Sequence, residues 1–411
     1  MAIATAPEPT LPATSAPARA SGLSRIASVD IVRGVVMVLM AIDHVRVYAG
    51  VPAGGATPGL FFTRWVTHFC APAFVFLAGT SAYLYAQRVG DKGAVTRWLI
   101  TRGAWLVFLE LTVLRLAWTF NADYSSYMLG GVIWMLGWCM ILTALVIHLP
   151  MLAITALGLV TVAGHNLTSL LSRETIQPLL QGDLGWLYRI LYFGGGLRWF
   201  GAEDPNFLIL YSLLPWVGVM ALGWAFGAVL RMDADRRRRW CLTIGATAIV
   251  AFVVLRYFAI YGDRPWPPQE NMPPMAAFLS FLGTTKYPAS LLFLLMTLGP
   301  TILVMPWLEN ARGRLAQWMT VFGRVPFFYY MLHIPLIHVV ALLISFVRTP
   351  DATPWLFQNH PLAPGPAPDG YQWSLGLLYL VTTLVVVALY FPCRWFAELK
   401  QRRKDPWLSY L

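Results

Sequence analysis

Residues 28–48 read SVDIVRGVVMVLMAIDHVRVY, a run long enough to cross a bilayer core of about 30 Å as one helix, yet it holds Asp30, Arg33, Asp43 and His44. Apolar runs of similar length recur along the chain. Of its 411 residues 58% are hydrophobic and only 12% charged, where a soluble domain carries about 25% charged residues. The mean hydropathy is +0.60. A water-soluble globule is excluded, and because the runs do not alternate in polarity, so is a transmembrane barrel. The expectation is an all-α, polytopic integral membrane protein with about ten transmembrane helices, ten or eleven.

Working outward from 28–48, further runs fall at 65–86, 98–118, 131–149, 151–170, 206–230, 240–261, 286–307, 321–346 and 373–396. If each run crosses once, four basic clusters share one side: Arg88/Lys92/Arg97, Arg231 with Arg236 to Arg239, Arg312/Arg314, and Lys400/Arg402/Arg403/Lys404. Cations concentrate on the cytoplasmic side of membrane proteins, so both termini are placed there. These clusters account for the net charge of +11, and nucleic acid is not expected as a partner. Residues 1–24, rich in Pro, Ala, Ser and Thr, read as a disordered cytoplasmic tail, 25–396 as the membrane domain and 397–411 as a basic cytoplasmic tail. Cys70, Cys139, Cys241 and Cys393 have no CxxC spacing, so neither a disulfide framework nor a metal site is implied.

Ionisable side chains inside a membrane cost about 3 kcal/mol or more at the bilayer centre and are functional candidates by default. At 100° per residue, Arg33 and His44 lie within about 20° of one another on the first helix, with Asp30 one turn before Arg33. The rise of about 1.5 Å per residue puts His44 about 16 Å beyond Arg33, toward the outside. Asp30 and Arg33 also suit an ordinary i, i+3 ion pair. By the same dead reckoning His68, Glu110, Arg115, His333 and His338 join His44 in the outer half of the membrane, which points to one polar cavity. A histidine beside an orienting carboxylate is the minimum for general-base acyl transfer. Such a cavity equally suits a proton-coupled transporter. His148 and His165 read as single polar residues at the ends of runs, and His360 sits in a Pro-rich loop.

Three stretches, SVDIVRGVVMVLMAIDH (28–44), HFCAPAFVFLAGTSAYLY (68–85) and FGRVPFFYYMLHIPLIH (322–338), resemble the signatures of bacterial membrane proteins grouped with the heparan-α-glucosaminide N-acetyltransferase catalytic domain, within the transmembrane acyltransferase superfamily. The resemblance covers about residues 25 to 395. It implies that 25–396 is a transmembrane acyltransferase-like domain of the inner membrane, taking an acyl group, acetyl by preference, from cytoplasmic acetyl-CoA to a carbohydrate or glycolipid amine or hydroxyl on the other side. Arg33, Arg102 and Arg324 would then hold the CoA phosphates, although Arg102 and Arg324 also read as positive-inside anchors. His44 is the preferred base, His68 its rival, Asp43 or Glu110 the orienting carboxylate, and His333 a further catalytic candidate. In the lysosomal enzyme the catalytic histidine follows the first span, and the matching stretch here, Ala49 to Phe62, holds none. A transporter or flippase of an envelope intermediate is the main alternative, and a scaffold locked by buried charges the weaker one. Membrane lipid is the expected surrounding, and the oligomeric state, a homodimer included, is open.

Overall fold

The computed structural model describes residues 26–55, 57–199, 201–266, 272–358, 366–403, 405 and 407–408. Its long helices follow the apolar runs: α1 Ala27–Tyr48, α2 Cys70–Val89, α3 Lys92–Leu109, α4 Val132–Val146, α5 Met151–Gly164, α6 Leu213–Leu230, α7 Ala234–Tyr257, α8 Leu291–Leu308, α9 Pro326–Arg348 and α10 Leu375–Arg402. Among the described residues seven helical stretches are long and apolar enough to cross a membrane: Pro58–Val89, Met151–Leu170 and α6 to α10. The other three fail for definite reasons. α4 is apolar but only 15 residues long, whereas α1 and α3 carry three or more charged side chains each. α1 tolerates its charges because it is the hub of the bundle, packed against α2, α8, α9, α10 and a further helix, Arg314–Arg324, so its faces meet protein.

Three boundaries differ from the sequence reading. The run 321–346 is not one helix: Arg314–Arg324 ends at Val325, and α9 starts afresh at Pro326. Proline has no N–H to continue the preceding helix and disfavours helical geometry in the residue before it; Val325 accordingly sits at φ −133°, ψ 49°. The run 206–230 opens as a strand. Strands β1 Met128–Gly130, β2 Gly195–Leu197 and β3 Phe207–Ile209 form a small sheet in the order β1-β3-β2, β1 parallel and β2 antiparallel to β3, so the all-α expectation omits this element. At the other end of the chain α10 continues past 396 to Arg402, which makes the start of the basic tail helical.

The Arg314–Arg324 helix crosses α1 at backbone contact. A Cβ on Gly34 would fall on the carbonyl of Met319, and one on Gly323 on the carbonyl of Asp30. Small residues permit this approach between membrane helices. Gly34→Val is therefore expected to lower the melting temperature of the purified protein, since overpacking costs about 1–3 kcal/mol or more, while Val35→Ala on the exposed side should leave it unchanged. Equal melting of the two variants would contradict the crossing.

The basic clusters gather at one end of the bundle. Arg237, in the first turn of α7, makes a two-pronged ion pair with Glu309, just after α8, at 2.7 and 2.8 Å. Arg231 donates to Gln87 at the end of α2. The sheet lies at the opposite end.

Candidate functional site

Two cavities enter the bundle from its two ends. The first, about 490 Å³, opens at the sheet end, where α1 and α3 finish and α4 begins; its lining includes His44, His68, Glu110, Trp118, Lys286 and Tyr330. His44, three-quarters of the way along α1, packs edge-on against Trp118 with ring centres 4.8 Å apart. Its Nδ1 lies 2.6 Å from Nε2 of His333, which is fully buried on α9. The other nitrogen of His333, Nδ1, lies 2.7 Å from the carbonyl oxygen of Tyr330 and 3.2 Å from that of Tyr329. Carbonyls only accept, so Nδ1 of His333 carries the proton and its Nε2 is the acceptor. It follows that His44 donates from Nδ1, and its Nε2 keeps a lone pair facing the cavity. A buried imidazole thus sets the tautomer of an accessible one, through a chain that ends on the backbone.

The carboxylates take other partners. Asp43 accepts from Arg46 Nε at 3.0 Å and from Arg64 Nη1 at 2.7 Å, which uses both of its oxygens. Consecutive residues of a helix do not face each other, so the orienting contact of His44 comes from His333 and not from Asp43. Glu110, 2% exposed, opens a π-helical turn at the end of α3, a distortion that recurs at functional sites. Its Oε2 accepts the N–H groups of Ile133 (3.0 Å) and Trp134 (3.2 Å), where the first turn of α4 has no intrahelical acceptor. It caps α4 rather than orienting His44. Gly131 makes room for it, because a Cβ there would meet the Glu110 carboxylate. His68 lines the same cavity, edge-on to Phe293 at 5.4 Å, with a buried Nδ1 that has no partner among the described residues.

The outer-half cluster is only partly real. Arg115 donates to the carbonyls of Tyr127, Asn121 and Asp123 and so pins the connection before β1, and His338 bonds to the carbonyl of Ala117 between the rings of Tyr48 and Phe120. Neither lines the cavity. His148 and His165 bond to Thr96 and to the carbonyls of Thr161 and Ala289, and His360 lies outside the described residues. The sequence reading missed Arg64 and Lys286. The Lys286 ammonium lies over the rings of Tyr211 and Tyr287, 5.9 and 5.2 Å from their centres. Both are cations at the end where the basic clusters are not, and that breach of the charge rule is the signal that finds them.

The second cavity, about 280 Å³, opens at the cluster end. Arg33, Arg102 and Arg324, named together in the sequence reading, all line it, and so does Lys400, read as part of a tail. Arg33 donates to the carbonyl of Leu77 at 2.9 Å and to the Ser81 hydroxyl. Arg324 has a buried Nε without a partner among the described residues. Beyond these cations the walls turn apolar, with Met37, Met40, Leu136 and Met140. Val132 and Tyr330 belong to the linings of both cavities, so this pocket ends where the histidine pocket begins. Among the described residues no cluster of His, Cys, Asp and Glu is arranged to hold a metal ion.

The helical bundle thus carries a histidine cavity at one end and a cationic, apolar-throated cavity at the other. The profile of the family described as heparan-alpha-glucosaminide N-acetyltransferase, catalytic, matches residues 25–261, more than half of the chain. The protein belongs to that family and is a transmembrane enzyme of the acetyltransferase type. No curated protein sequence matches it.

Proposed function

We propose that the protein transfers an acetyl group from acetyl-CoA, held in the arginine cavity on the cytoplasmic side of a bacterial inner membrane, to an amine or hydroxyl of an envelope sugar or glycolipid in the histidine cavity. The observation that carries this reading is the shared wall: two pockets of different chemistry, opening at opposite ends, meet one side chain away from His44. The four basic clusters at the arginine end support a cytoplasmic placing of that end and of both termini, with α1 to α10 each crossing once.

The donor's chemistry fits the pocket. Phosphates suit the guanidinium groups of Arg33, Arg102 and Arg324, and the uncharged pantetheine arm suits the Met-lined throat. His333 keeps His44 in the Nδ1–H tautomer, and His44 Nε2 takes the proton from the acceptor as its nitrogen or oxygen bonds to the acetyl carbon. As the carbon–sulfur bond breaks, the same nitrogen returns the proton to the leaving sulfur. Lys286 adds positive charge to the cavity in which negative charge develops on the thioester oxygen. His68 is the second candidate base.

Arg324→Ala tests the donor site, since the residue lines the arginine cavity. A hydrogen bond to a charged group contributes about 1.5–3 kcal/mol, which is about 10–150-fold in Kd. Equilibrium binding of acetyl-CoA to detergent-purified protein should weaken by that factor, and unchanged affinity in a folded variant would remove the donor from this cavity.

A further inference from the structure

Val132 and Tyr330 are the residues that line both cavities. Val132 is the first residue of α4, the helix whose start Glu110 holds. Tyr330 is 4% exposed, and its ring stands edge-on to His44 and His333, with centres 6.2 and 5.1 Å away. Its backbone is fixed independently of its ring, because its carbonyl accepts the His333 proton. The ring is thus the large side chain between an open, polar space containing a basic histidine and a narrow, apolar one. A base such as His44 Nε2 activates water as it activates a sugar amine or hydroxyl. A transferase with a wet base therefore needs a device that keeps water from the thioester.

We propose that the Tyr330 side chain is that seal: a specificity-determining residue that closes the junction of the two cavities to water and so excludes water as an acceptor. Its effect on hydrolysis rests on the acetyl-transfer reading above, whereas its effect on watertightness does not. Without the ring, water occupies the junction between the cavities when no acceptor is seated there and meets the thioester beside His44. The water oxygen bonds to the acetyl carbon, the carbon–sulfur bond breaks, and one water proton passes through His44 Nε2 to sulfur while the other stays on the product, giving acetic acid and CoA thiol.

The experiment compares wild type, Tyr330→Ala, Tyr330→Phe and Val132→Ala by two readouts. One is osmotic water permeability of proteoliposomes in stopped-flow light scattering, and the other is thiol release from acetyl-CoA with no acceptor added. Tyr330→Ala should raise permeability several-fold and thiol release by about two orders of magnitude, the low end of what a positioned base contributes. Tyr330→Phe, which keeps the ring, should match wild type in both. Val132→Ala, which thins the wall from the other side, should raise both by less and serves as the test if Tyr330→Ala does not fold. Wild-type permeability and thiol release in a folded Tyr330→Ala protein would overturn the seal. If no variant binds acetyl-CoA, it is the acetyl-transfer reading that fails, and permeability alone decides the seal: a rise in Tyr330→Ala sustains it and no rise overturns it.

Discussion

His44→Ala is expected to lose about 10²–10⁴-fold in acetyl transfer while acetyl-CoA binding stays within a few-fold of wild type, because the variant removes the base and leaves the arginine cavity intact. The assay is thiol release from acetyl-CoA by detergent-purified protein, with glucosamine as the probe acceptor. His68→Ala should cost much less. His68 shares the cavity but has a buried, unpartnered Nδ1, whereas His44 has a defined tautomer and an open Nε2. Loss in His68→Ala with full activity in His44→Ala would move the base to the stretch before α2, and full activity in both would remove histidine from the mechanism.

The second large effect is expected at His333, which lines neither cavity. His333→Leu takes away the acceptor of the His44 Nδ1–H, so the imidazole is no longer held to one tautomer or one orientation. Loss of such a supporting partner elsewhere costs about 10–100-fold, and a similar fall in kcat is expected, with KM for acetyl-CoA unchanged. His333→Gln should recover part of it, since a side-chain amide oxygen can accept from Nδ1. A role in packing alone would make Leu, which fills the buried site without a polar atom, the better replacement. The order of the two variants in kcat therefore separates positioning from packing.

The placing of charge along the chain was legible in the sequence, and the facing of side chains across helices was not. Counting residues from the run ends set His44, His68, Glu110, Arg115, His333 and His338 at one depth. Three of these line the cavity and His333 stands one hydrogen bond behind it, but Arg115 and His338 point into the connections and bond to backbone carbonyls. Depth follows from sequence position, whereas azimuth depends on which helices touch. Asp43 or Glu110 was read as the carboxylate orienting His44; the helical rotation between neighbours sends Asp43 to Arg46 and Arg64, and Glu110 caps α4. Arg33, Arg102 and Arg324 were grouped because the family resemblance asks for cations near one face, and they line one cavity because all three sit toward the same end of the bundle. Lys400 was missed because the apolar run ends at 396 while the helix continues. The sheet was hidden because its strands are three residues each, too short for a period-two pattern, and one lies inside an apolar run that continues as helix.

The most direct test of the account is an experimental structure of the protein with acetyl-CoA bound. The account predicts nucleotide density among Arg33, Arg102, Arg324 and Lys400, with the pantetheine arm running past Met37 and Met40 so that the thioester ends at the Tyr330 wall, next to His44. Acetyl-CoA bound anywhere else, or a nucleotide whose thioester points away from that wall, would contradict it, and so would a sugar or lipid passing through both cavities with no donor bound, which is the arrangement of a transporter.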